Sequence, residues 1–269
     1  MKLNYRLQAA HQPEQGLPVV FIHGLFGSLD NLGGLARPLG ENHRTLQIDL
    51  RNHGLSPHAP TMRYDEMEQD VMALLDALLI ERCIVIGHSM GGKVAMTLRA
   101  QAPGRIARAV VIDMAPVAYE VRSHDAIFTA LARVSNAGVT QRSEAARLME
   151  QDIDDASTVQ FLLKSFHQGH WRFDVKSIAH NYADIIGWRT QAPWPGPVLF
   201  IRDGNSPYLD DRYRDQIRQQ FPTLALTWWP ALAIGCMPKS PRRYCAPSRV
   251  FWRRVKPAEA VSHCRRPRR

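Results

Sequence analysis

The chain has 269 residues, 45% of them hydrophobic, and a mean hydropathy of −0.28, which suits a folded chain with ample core and excludes a fibrous or disordered one. Its formal charge of +9 would point to nucleic acid or an acidic membrane as partner. That charge is local, however: residues 229–269 hold 11 Lys/Arg against Glu259 alone, and residues 1–228 carry 23 basic and 24 acidic side chains.

In chain order, Val19–Ile22, Thr45–Ile48, Cys83–Ile86, Ala109–Ile112 and Val198–Ile201 are near-continuous apolar runs, the pattern of parallel strands buried on both faces. Met67, Val71, Leu74, Leu75 and Leu78 recur at helical spacing and predict an amphipathic helix over Glu66–Leu79. A second helix is predicted over Met90–Gln101, directly after the third strand. From Val117 to Trp194 the strand signal is absent, while Ile127, Leu131 and Val134, and then Phe161, Leu162, Leu163 and Phe166, recur at helical spacing. Pro193 to Pro197 breaks the chain before the next strand. The fold class read from this order is α/β, a mostly parallel sheet flanked by helices with a helical cap inserted. Its parts are a first core section 1–116, a cap 117–194, a second core section 195–228 and a basic tail 229–269. The cap is expected over the carboxyl edge of the sheet, where open α/β sheets place their ligand sites.

Cysteine usage follows the charge: Cys236, Cys245 and Cys264 lie in the tail and Cys83 alone in the body, so no disulfide scaffold is indicated. The three tail cysteines and His263 contain no closely spaced Cys pair and make no zinc motif. Met1–Arg6 opens no apolar signal region, which predicts a cytoplasmic location. The longest apolar stretch, Leu226–Met237, is interrupted by Thr227 and Pro230 and falls short of the roughly 20 residues that span a bilayer. No dinucleotide or phosphate-loop fingerprint is present, and no cofactor or metal is expected.

Gly87-His88-Ser89-Met90-Gly91 lies between a buried strand and a helix, the context in which Gly-x-Ser-x-Gly forms a nucleophile elbow. Ser89 is then the candidate nucleophile, with the Met90 amide at the helix start facing a developing oxyanion. A helix-capping serine is the plainer alternative. His23-Gly24-Leu25-Phe26-Gly27-Ser28 ends the first strand and offers the Leu25 amide as a second oxyanion donor. His23 is read as a structural residue, too early in the chain for the general base of this arrangement. Asp49–Ser56, at the end of the next strand, is read as a pinned turn rather than a chemical group.

These segments, with IDMAPV at 112–117 and DGNSPY at 203–208, resemble the α/β-hydrolase esterases, most closely the bacterial YbfF-type esterases and acyl-CoA thioesterases, over residues 1–228. The resemblance implies a serine hydrolase of acyl esters or thioesters with small-molecule substrates; the short apolar runs argue against a membrane partner and the near-neutral body against nucleic acid. It implies Asp113 as the acid, with Ser206 as a further partner of the histidine and Asp203 as the nearest rival. A capping carboxylate is the plainer reading of Asp113. The aromatics Phe161, Phe166, Trp171, Phe173 and Trp188 are candidates for an acyl pocket, with helix packing as their ordinary role.

The family's histidine belongs in a Gly-His-Trp turn after a strand equivalent to Leu224–Trp229, where this chain reads Ala233-Ile234-Gly235-Cys236. Only His263 lies downstream, so no base is assigned. A reading frame displaced by one base from about Leu226 can spell that turn, with the histidine codon straddling Ala233 and Ile234. The tail is therefore read as out-of-frame sequence, and this chain as an impaired enzyme. Serine at position 89 argues against a dehalogenase or epoxide hydrolase, which need aspartate there. A cofactor-free haloperoxidase, a C–C bond hydrolase, a non-catalytic relic and a basic nucleic-acid module remain as alternatives, the last resting on Arg253, Arg254, Lys256 and the Arg-rich run 265–269.

Overall fold

The computed structural model describes residues 1–12, 16–120, 122–203 and 206–229. The tail residues 230–269, including the three tail cysteines and His263, lie outside the described residues, as do Gly204, Asn205 and the Asp203 side chain.

The five β-branched runs all become strands, and four further strands join them. In order, the elements run from Tyr5–Gln8 (β1) and Val19–Ile22 (β2) through Gly33–Leu39 (α1), Thr45–Ile48 (β3) and Tyr64–Ala77 (α2). Cys83–His88 (β4), Met90–Gln101 (α3) and Ile106–Ile112 (β5) complete the first core section. Then come Asp125–Ala137 (α4), Arg142–Met149 (α5), Ala156–Leu163 (α6), Phe166–His167 (β6), His170–Trp171 (β7), Val175–His180 (α7) and Tyr182–Ile186 (α8). Val198–Asp203 (β8), Arg214–Gln220 (α9) and Ala225–Trp229 (β9) return the chain to the sheet.

The sheet has the order β1-β3-β2-β4-β5-β8-β9. Every neighbouring pair is parallel except β1–β3, which is antiparallel, so the sheet is mostly parallel. Alternation along the strands separates two apolar layers. Val20, Ile22, Val85, Val111 and Phe200 face the layer that holds α2 and α3, with Val71, Leu75, Val94 and Leu98 buried against them. Val19, Phe21, Ile84, Ile86, Val110 and Leu199 face the opposite side, where Leu32 and Ala36 of the α1 region pack. Burial on both faces is the reason these strands read as unbroken apolar runs.

The segment between β5 and β8 is helical, with one correction: Phe166 does not continue α6 but pairs with Trp171 in the short β6–β7 hairpin. This segment meets the loops at the carboxyl ends of β2 and β3. Asp174 N donates to Asn52 O at 2.9 Å, Met62 N to Asn181 Oδ1 at 3.2 Å, and Asn181 Nδ2 to Pro60 O at 2.8 Å. Among the described residues, no helix is long and apolar enough to cross a membrane.

Candidate active site

Ser89 joins β4 to α3 with φ 52° and ψ −121°, a left-handed conformation that a side chain adopts only at a cost of about 1–3 kcal/mol. The glycines around it are required by contact. A Cβ on Gly87 would stand 2.1 Å from Gly91 O, and one on Gly91 would stand 2.3 Å from Ile22 O and 2.4 Å from His23 O. The start of α3 is thus pressed on the turn before it and on the end of β2, and only hydrogen fits. Ser89 sits at the N-cap position, but its side chain makes no capping hydrogen bond. The capping alternative is therefore not what holds this serine, and Oγ is left for other chemistry in a partly exposed position.

The loop after β2 closes on the elbow. A Cβ on Gly24 would lie 3.2 Å from Ser89 Cβ and 3.3 Å from His88 O, so this backbone runs directly beside the serine. Two buried imidazoles hold the loop there. His23 Nδ1 donates to Gly24 O at 2.7 Å, and its Nε2 accepts from Leu50 N at 3.1 Å. His53 Nδ1 donates to Arg51 O at 3.0 Å, and its Nε2 accepts from Phe26 N at 3.1 Å. Each ring bridges a carbonyl and an amide on the loops after β2 and β3, which only the neutral form can do. Burial lowers both: His53 falls to about 3, with His23 as the second cause, and His23 falls below its ordinary value. His23 has both nitrogens engaged and is structural, as the sequence indicates.

Phe26 has φ 61°, its amide is taken by His53, and Gly27 N donates to Gly24 O. Among the described residues, neither the Leu25 amide nor the Met90 amide has a hydrogen-bond acceptor. Both residues are buried. Two uncommitted N–H groups thus flank the serine, one from each side of the turn.

The Asp49 turn is pinned as expected. Its carboxylate accepts from Leu29 N at 2.6 Å, Leu55 N at 2.9 Å and Asn4 Nδ2 at 2.7 Å. Arg51 is paired with Asp70 at 2.7 Å and Glu66 at 3.2 Å. These charges are consumed in holding the loop after β3 to the loop after β2 and to α2.

Asp113 follows β5 with φ 55°, and its amide donates to Ile201 O at 2.8 Å. Ser89 N likewise donates to Ile112 O at 2.9 Å. The parallel ladder therefore runs one residue past β4 and β5, and places Ser89 and Asp113 at adjoining strand ends. Ser206 follows β8, the next strand over, and is buried with its Oγ accepting from Tyr208 N at 3.2 Å. The loops after β5 and β8 are stitched together: Ala115 N donates to Tyr208 O at 3.0 Å, and Tyr119 OH donates to the same carbonyl. Burial, then the nearby Asp113 charge among lesser causes, raises both Tyr119 and Tyr208. Ser89, Asp113 and Ser206 thus gather at one sheet edge. His263 lies outside the described residues.

Sequence reasoning missed His124, whose Nδ1 shares a hydrogen bond with Tyr182 OH at 2.6 Å and whose ring stands 6.0 Å from that of Phe26. Burial lowers it to about 4. No motif surrounds it, and only the fold brings it near. Of the aromatic candidates, Phe166, Trp171 and Phe173 form a continuous row that ends on Phe26, while Trp188 packs on Tyr64. Phe161 is partly buried against the main core. Among the described residues, no three His, Cys, Asp or Glu side chains gather as a metal site.

A family model described as alpha/beta hydrolase fold matches residues 18–227. The chain is 50% identical over 222 residues to Esterase YbfF of Escherichia coli (strain K12), covering 82% of this chain and 87% of that protein. It is 38% identical over 232 residues to the sn-1-specific diacylglycerol lipase ABHD11 of Xenopus tropicalis, covering 82% and 72%. A solved structure titled Marine microorganism esterase superposes with a TM-score of 0.85 at 30% identity, covering 93% of this chain and 99% of that one.

Proposed function

The chain belongs to the alpha/beta hydrolase family as a hydrolase of the esterase and lipase type, and from that premise we propose that it cleaves carboxylic esters and acyl thioesters through an acyl-enzyme on Ser89. The observation that carries the reading is the strained, uncapped Ser89 between the uncommitted amides of Leu25 and Met90. In the first half-reaction Ser89 Oγ adds to the acyl carbon and its proton leaves to a base. The carbonyl oxygen takes up negative charge between the two amides, and each such donor lowers the barrier by about 2.7–4 kcal/mol. Collapse expels the alcohol or thiol, which receives the proton, and water then repeats the addition on the acyl-serine to release the acid.

Asp113 is the acid of this reading because it stands at the end of β5, the strand next to the β4 that carries Ser89, and Ser206 is its partner because it follows β8, the strand beyond β5. Their task is to orient and charge-stabilise an imidazolium. No histidine of residues 1–228 is assigned as that base, and the frame displacement near Leu226 accounts for its loss. Loss of one triad member leaves the binding and oxyanion contributions, a residual of roughly 10³–10⁴ over water. Acyl-CoA and other short acyl thioesters are the proposed substrates beside simple esters.

The test is labelling with a fluorophosphonate probe and hydrolysis of p-nitrophenyl acetate, each with this chain, its Ser89→Ala variant and the chain restored to the displaced frame. Slow turnover by this chain, fast turnover by the restored chain and loss of labelling in Ser89→Ala are expected. Labelling that survives Ser89→Ala removes the nucleophile assignment. Equal turnover by the original and restored chains removes the account of the missing base, and a folded chain that neither form makes active is the non-catalytic relic.

A further inference from the structure

Lys93 lies in α3, four residues past Ser89, and is only 1% exposed. Its Nζ donates to Ile186 O at 2.8 Å and Gly187 O at 2.7 Å, carbonyls at the carboxyl end of α8. A helix end leaves such carbonyls without intrahelical partners. Here the core supplies the donors: Tyr64 OH reaches Ile185 O at 2.6 Å, and Tyr119 N reaches Ile186 O at 3.0 Å. Lys93 is thus one of three core groups that seat α8, and it is the only one of them with a protonation change near neutrality.

The groups that face the amine are few. From α2 comes the Tyr64 ring, with its centroid 5.7 Å away, and from the segment after β5 the Tyr119 ring at 4.7 Å. From α8 come only backbone carbonyls, since Asp184 is exposed. Among the described residues, no carboxylate pairs with Lys93. A neutral amine has two N–H donors and finds two acceptors, whereas an ammonium has three and meets only ring faces with the third. Burying an unpaired ammonium is expensive, and cation–π contact offsets about 0.5–2 kcal/mol of that.

We propose that Lys93 is a proton-linked positioning residue, which seats α8 on the nucleophile helix as a neutral amine and loosens that seat when it is protonated. Burial draws the amine down to about 7, and it raises Tyr64 and Tyr119, so both phenols stay neutral. With α8 lifted away, the amine regains its ordinary value of 10.5. Below about 7 both states are protonated and the seat is insensitive to pH. Between those values the lifted state holds one more proton, so seating strengthens with rising pH, by up to roughly tenfold per unit. The proposal takes from the serine-hydrolase reading only the site that α8 serves, and its test does not pass through catalysis, so either can fail alone.

The test is amide hydrogen exchange of the full chain, followed by mass spectrometry in peptides covering Tyr182–Trp188 from about pH 6 to about pH 9, with intrinsic rates divided out. Protection that is level to about pH 7 and then climbs, and that loses its climb in Lys93→Met, is the expected result. In Tyr64→Phe, which removes a neighbouring donor without touching the amine, protection falls at every pH and the climb persists. A wild-type profile that is flat or descending overturns the proposal even if Lys93→Met fails to fold. An unchanged climb in a folded Lys93→Met protein overturns it as well.

Discussion

Acid should unfold this protein through histidines that the fold keeps neutral, and His53 offers the clearest measure. Its ordinary value of 6.5 falls to about 3 in the folded chain, and that of His124 falls to about 4, both chiefly through burial. A group whose folded value is depressed below 6.5 takes up its proton first in the unfolded chain. Its contribution is therefore complete above 6.5 and is lost as pH falls from there toward the folded value. At about 1.36 kcal/mol per unit, lowering pH from 6.5 to about 5 removes roughly 2 kcal/mol for each ring, or about 4 kcal/mol for the pair. His23 shifts in the same direction and adds to the loss. Glu68, raised by burial and by Asp65, works against it, while the lowered carboxylates of Asp155 and Asp174 act only in more acid solution. Against a domain stability of about 5–15 kcal/mol the expected drop is large. Urea denaturation followed by circular dichroism at about pH 7 and about pH 5 measures it. His53→Gln keeps a donor and an acceptor without titrating, and should shrink the drop by roughly 2 kcal/mol. An equal drop in both proteins would show that His53 is not held neutral and would refute the reasoning.

Gly91→Ala forces a methyl to within 2.3 Å of Ile22 O, and the strand or the helix must shift; a loss of about 1–3 kcal/mol or more in urea denaturation is expected, together with loss of probe labelling at Ser89. Asp49→Ala leaves the buried amide of Leu29 without an acceptor, at about 1–3 kcal/mol, and also frees the amide of Leu55, and should lower the denaturation midpoint more than any exposed carboxylate does. Leu79 has φ 55° and is 86% exposed, so Leu79→Gly should raise stability by about 1 kcal/mol, read as a higher melting temperature.

Much of this architecture is legible because burial on two faces writes itself as uninterrupted β-branched runs, and because the glycines at 87 and 91 bracket a turn that nothing larger can make. The start of α3 at Met90 follows from that turn alone. The helix predicted from Glu66 begins instead at Tyr64, since Glu66 is the residue that reaches back to the Arg63 amide at 3.0 Å. It ends early because Leu79 turns left-handed. β1 is easily missed: Tyr5-Arg6-Leu7-Gln8 alternates over only two periods, and all four residues are exposed on an edge strand. So is α1, which contains Pro38 and only one buried residue, Ala36. Phe166 pairs with Trp171 across a tight turn at Gln168 and Gly169, both with positive φ, that is too short to leave a period, while the approach of His124 to Phe26 depends on a contact between distant segments. Lys93 is the sharpest case. Its motif neighbours mark the nucleophile, but the carbonyls that receive its amine lie more than ninety residues away.

The ladder that runs past β4 and β5 also governs how such a protein can change. Ser89 hangs on Ile112 O and Asp113 on Ile201 O, so the spacing between the two side chains is a property of strand register. A register slip moves in whole residues and turns every buried side chain to the other face. Small mutational steps therefore cannot tune that spacing; they can only keep it or destroy it. The row from Phe26 through Phe173, Trp171 and Phe166 has no such constraint, because side chains there exchange volume one at a time. Sequence divergence should accumulate in that aromatic row, while the strand register stays as it is.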